Sequence, residues 1–151
     1  QYFAFMREIL GFLIQVVDRM AFDRMTGEER AEFTAALVRR SAEILEESEL
    51  EWLGQPPDGA DSWRNQFIDF CNELGEAYAE FGHGPEGPDF CFVRYLGSRV
   101  EAVVPAKDRH WVKDQLMAIE VPEAIEMVRR GMHGALSTEP RPKRRASMSG
   151  D

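Results

Sequence analysis

The residue types best suited to chemistry lie in one short stretch, Gly82 to Arg94 (GHGPEGPDFCFVR). Asp89 is a residue type that caps a helix. If it does so here, Cys91 sits in the first turn, where unpaired backbone N–H groups and the helix dipole stabilise a thiolate. His83 lies eight residues earlier in a glycine- and proline-rich loop and could reach that thiol as a base. Together His83, Asp89 and Cys91, with Arg94 beside them, would form a nucleophilic or ligand-binding site. Two arguments run against it. The carboxylate of Asp89 opposes a neighbouring thiolate, and free cysteine is among the most buried residue types.

A metal site is a second reading of the same stretch. Glu80 and His83 have the E-x-x-H spacing that puts two ligands on one helix face, as in carboxylate-bridged di-iron bundles. Those bundles need two copies and two further glutamates. This chain has one copy, and Gly82 is placed to end the helix between the two ligands. No metal and no cofactor are expected. Cys71 falls inside an aromatic stripe and is expected in the core, and His110 and His133 have no partner at metal-ligand spacing. The phosphate-cradling, dinucleotide, serine-hydrolase and zinc-protease motifs are missing from the sequence. No CxxC or Cys/His zinc spacing occurs either. Two isolated cysteines in a chain this long read as free thiols in a reducing compartment, so a cytoplasmic location is expected.

These residues would be positioned by helices. The chain has 151 residues, 44% hydrophobic and 30% charged, which suits one globular domain over 1–136 followed by a polar basic tail, 137–151. The expected fold is all-α, a compact bundle of five or six helices. From Phe3 to Phe22, Phe3, Met6, Leu10, Leu13, Val17 and Met20 follow helical spacing, with Phe5, Ile9, Phe12 and Val16 as a second apolar stripe. That double stripe implies either a central helix or one that meets another subunit through Phe5, Phe12 and Val16. Charges at Arg7, Glu8, Asp18 and Arg19 argue against a membrane span. The chain opens on Gln rather than Met, so residues upstream are expected to have been removed.

A second helix starts at Thr26, with Glu29 completing a capping box, and presents Leu37, Val38, Ile44, Leu45 and Trp52. A third runs from about Ser62 to Phe81. The loop 82–88 is too rich in glycine and proline for helix or strand. Residues 90–104 fit two templates: a helix capped by Asp89, or a β-hairpin turning at Gly97-Ser98 with Arg94 opposite Glu101. The helical neighbours favour the helix. A further helix after Pro105 carries Trp111, Val112, Leu116 and Ile119. It should end by Val121, because the residue before Pro122 avoids helical angles. Pro122 then suits the first turn of a last helix.

Charge narrows the function classes. The net charge is −9. The tail holds Arg141, Lys143, Arg144 and Arg145 against Glu139 and Asp151, a local +2, which leaves the rest at −11. Such a body repels phosphate backbones, so nucleic-acid binding is not expected of it. Glu46, Glu47, Glu49 and Glu51 crowd the C-terminal turns of the second helix, against the dipole. They form a candidate docking face for a basic protein or for the chain's own tail. Arg144-Arg145-Ala146-Ser147 resembles a basic kinase consensus, and phosphorylation there would bring the tail's charge to about zero. The expected role is a non-catalytic interaction, adaptor or assembly-type protein acting as a homodimer. The alternative is a small enzyme or ligand-binding domain at the 82–94 loop.

Overall fold

A computed structural model of the chain describes residues 2–136; the basic tail and Ser147 lie outside the described residues. The architecture is all-α. Helix α1 spans Tyr2–Ala21, α2 Gly27–Leu53 and α3 Trp63–Tyr78. A two-stranded antiparallel turn follows, β1 (His83–Gly84) with β2 (Gly87–Pro88), then α4 (Phe90–Val103). A 3₁₀ turn at Ala106–Asp108 leads into α5 (Arg109–Gln115), and α6 covers Val121–Leu136. Among the described residues no helix is long and apolar enough to cross a membrane.

Helix α1 is the central element. It packs against α2, α3, α4 and α6, and its side chains enter all three apolar clusters. Phe12 and Val16 join Leu74, Tyr78, Phe92, Leu96, Val100, Leu116 and Val121 in the largest. Ile14 joins Ala42, Leu45, Phe67 and Cys71, and Val17 and Ala21 meet Met132. The double apolar stripe is thus used inside the protomer. Phe12 and Val16, expected at an inter-subunit face, are 1% and 0% exposed and belong to the core. The reason is geometric: a helix surrounded by four others needs apolar residues nearly all round. Its approach to α3 is close at Gly11, where a Cβ would overlap the Leu74 side chain.

Local chemistry explains the helix starts. The Thr26 hydroxyl accepts from the Glu29 N–H while the Glu29 carboxylate accepts from the Thr26 N–H, both at 3.1 Å. Ser62 caps α3 by accepting from Asn65 N–H. Residues 90–103 adopt the helical template, and Asp89 shows why: its carboxylate accepts the Phe92 N–H at 2.8 Å and the Gly82 N–H at 3.1 Å. One side chain thus caps α4 and closes the loop before it. That loop is not wholly irregular, contrary to the composition argument. Gly87 takes φ +114°, a conformation open to glycine, and lets His83 pair with Pro88.

Two expectations fail at the C-terminal end. The helix does not stop before Pro122. A single π turn at Leu116–Glu120 joins α5 to α6, with the Val121 N–H reaching back five residues to the Leu116 carbonyl. The widened turn accommodates a proline that has no N–H to donate. Trp111 and Ile119, expected inward, are exposed, as are Ile44 and Trp52 of α2.

Among the described residues three ion pairs tie α1 to other helices, of which Asp18 with Arg30 of α2, at 3.5 Å, spans the fewest residues. Glu8, 4% exposed, accepts two hydrogen bonds from the Arg99 guanidinium, at 2.7 and 2.9 Å. Next to it, Arg7 pairs with Glu49 of α2.

Candidate functional site

Two concave features are built around α1, one at each end. The first is an apolar groove of about 570 Å³. Its walls come from the first turns of α1 (Tyr2, Phe5, Met6, Ile9), the end of α4 (Val103, Val104), and the π turn with its flanks (Trp111, Val112, Leu116, Val121). Aromatic rings stand at its rim: Tyr2 and Trp111 are 66% and 70% exposed. Among the described residues Glu120 is the one charged residue in the lining, with Gln115 as a further polar group. Phe5, assigned from sequence to a partner interface, lines this groove; Phe12 forms part of its floor from within the core.

The second feature is a cleft of about 670 Å³ at the opposite end of α1. Arg19, Met20, Asp23 and Arg24 face Arg129, Arg130, Met132 and His133 of α6 across it, and the turn residues His83, Gly84 and Pro85 close one side. Arg19 is anchored. Its two terminal nitrogens donate to the carbonyls of Tyr78 and Phe81, at 2.9 and 3.0 Å, and its guanidinium lies over the Phe92 ring. A cation at the end of α3 thereby adds a second donor to the Tyr78 carbonyl, which also accepts the Phe81 N–H, and pairs the Phe81 carbonyl just beyond the helix. Arg129 and Arg130 both bond the carboxylate of Glu126.

His83 belongs to this cleft. Its ring stands edge-on to Phe92, with centroids 6.4 Å apart, and its Nε2 is shut off from solvent without a hydrogen-bond partner among the described residues. Burial, helped by the Arg19 charge, lowers its pKa below the ordinary value of 6.5, against the opposing pull of Asp23 and Asp89. The unfolded chain therefore binds the proton first as pH falls. The resulting stability is present above pH 6.5 and is lost as pH drops through the lower folded value. His83→Gln is expected to flatten the acid side of the stability–pH curve between neutral pH and that folded value, as read by urea denaturation at a series of pH values.

The structure does not bring the proposed thiol site together. Cys91 is exposed in the first turn of α4 and lines neither the groove nor the cleft, whereas His83 turns toward α1 and α6. Asp89 is occupied by its two backbone bonds. Arg94 is exposed. Cys71 lies in the core, and burial pushes its thiol up to about 12. Helix α3 ends at Tyr78, so Glu80 and His83 do not share a helix face. Among the described residues no three His, Cys, Asp or Glu side chains gather as a metal-binding group.

The acidic run on α2 divides. Glu47 and Glu51 are exposed. Glu46 accepts the Arg64 N–H at 2.8 Å and so supplies a negative charge at the start of α3. Glu49 is 0% exposed and faces Arg7, which removes it from any docking face. The sequence shows four like charges; which of them point inward depends on how α2 is rotated against α1 and α3. Arg19, Arg24, Arg129 and Arg130, which dominate the cleft, carried no motif because they come from opposite ends of the chain. Set against family models, curated proteins and solved structures, the chain matches none.

Proposed function

We propose that the chain is a non-catalytic interaction module that assembles with a second copy of itself through the apolar groove at the start of α1. The observation that carries this reading is the groove's composition. Its walls are aliphatic and aromatic, and among the described residues Glu120 is its one charged residue, so an apolar occupant can enter with little charge desolvated.

A second copy fits for two reasons. The rim rings of Tyr2 and Trp111 project beside the furrow they border, so the same patch supplies both a ridge and a recess, as a two-fold interface requires. The net charge of −9 would draw a basic partner, but it would draw it to surfaces other than this groove. The free thiols at Cys71 and Cys91 fit a reducing setting such as the cytoplasm.

Sedimentation velocity from micromolar to hundreds of micromolar protein tests the proposal, together with native mass spectrometry. A dimer without added mass is expected. Trp111→Glu places a charge on an exposed rim position and should raise the dimer dissociation constant about tenfold or more, because buried tryptophans are frequent anchors of interfaces. A chain that is monomeric throughout this range overturns the proposal. So does a monomer carrying an apolar small molecule, which would make the groove a ligand site.

A further inference from the structure

We propose that the cleft between the C-terminal ends of α1 and α6 binds a small multivalent oxyanion of the phosphate or pyrophosphate class. The inference rests on what remains after the local roles of its cations are accounted for. The C-terminal ends of helices carry partial negative charge and attract cations for purely structural reasons. Arg19 is held in that way by the carbonyls of Tyr78 and Phe81. Three observations remain.

Arg129 and Arg130 are two cations sharing one carboxylate, Glu126. Arg24 has no acidic partner within ion-pair distance among the described residues, though it lines the cleft. His83, in the wall of the same cleft, has an enclosed Nε2 without a partner among the described residues. Among the described residues four arginines and two histidines thus line a cavity that includes one carboxylate, Asp23, in a chain of net charge −9. An oxyanion is the ligand that would accept from several guanidinium groups at once.

The size and sign of the ligand follow from the surroundings. A cleft of about 670 Å³ lies within the range of small-molecule sites. A long phosphate backbone would have to lie along the acidic body around it, which opposes it electrostatically. A compact anion that enters the cleft meets the arginines and avoids the body.

Titration of the full chain with inorganic pyrophosphate at low salt, followed by calorimetry and by the NMR signals of the histidine rings, tests this. Saturable binding with a displaced His83 resonance is expected. Arg24→Gln and Arg130→Gln should each weaken it about tenfold, the loss for a hydrogen bond to a charged group. A full-length variant with Arg141→Ser, Lys143→Ser, Arg144→Ser and Arg145→Ser should bind as the parent does. Absence of saturable binding overturns the proposal. Binding that survives Arg24→Gln and Arg130→Gln and disappears with the four tail substitutions also overturns it, since the anion would then sit on the tail.

Discussion

Arg7→Met is expected to lower the free energy of unfolding by about 3–5 kcal/mol, the range for stranding one charge of a buried pair. Glu49 has no exposed surface, and Arg7 is the one cation paired with it among the described residues. The Arg7 guanidinium is also held over the Trp63 ring, 5.7 Å from its centre. Removal of the cation leaves a fully buried carboxylate without its counter-charge. The pair is already imperfect, because Arg7 Nε and Glu49 Oε1 are both buried without partners among the described residues. Its net contribution compared with an apolar pair is therefore small, even though the cost of breaking it is large. Arg7→Met combined with Glu49→Leu should consequently regain most of the loss. Urea denaturation of the single and double variants reads both numbers. A loss below about 1 kcal/mol for Arg7→Met, the range of exposed ion pairs, would mean that water reaches Glu49 once the arginine is gone.

The same pair shows where sequence reasoning stops. Local signals were legible. The capping box at Thr26 and Glu29 and the apolar spacing of α3 depend on residues within a few positions of each other, and both are present as expected. Residues 90–104 were ambiguous because Val93, Val100 and their neighbours satisfy periods of both two and 3.6. Asp89 resolves the ambiguity with two backbone hydrogen bonds that no alternation pattern displays. In the sequence Glu49 belongs with its neighbours to one acidic run, since periodicity does not say which side of a long helix will meet an arginine 42 residues away. Pro122 misled for a related reason. The rule against helix before proline is local, and the π turn at Leu116–Glu120 relieves it.

Neither concave feature could be read from the chain as a string. The groove joins Tyr2 to Ala124 and the cleft joins Arg19 to Gly134. Each depends on α1 being central, with its first turns left partly open and its last turns facing α6. The apolar excess of α1 therefore has two explanations along its length. Phe12, Ile14, Val16 and Val17 fill the core and Phe3 and Leu10 pack against it, while Tyr2, Phe5, Met6 and Ile9 line the groove.

Phe92→Ala is expected to cost about 3–5 kcal/mol, the usual loss for truncating a buried phenylalanine, and to disturb the cleft as well as the core. Phe92 is completely buried, with its ring 4.8 Å from that of Tyr78 and 5.7 Å from that of Phe12. The Arg19 guanidinium lies 5.8 Å from the same ring and His83 6.4 Å from it. The ring thus connects the apolar cluster to the two cleft residues that are not simply surface charges. Phe92→Leu separates these roles. It keeps much of the volume and should cost less than about 1.5 kcal/mol, but it removes the aromatic surface that Arg19 and His83 face. Chemical denaturation should therefore distinguish the two variants strongly, while the His83 ring resonance should move away from its parent position in both. If the resonance stays in place in Phe92→Leu, the backbone of the 82–88 turn positions His83 by itself. In that case Asp89, which bridges Gly82 to Phe92, is the residue that holds this wall of the cleft.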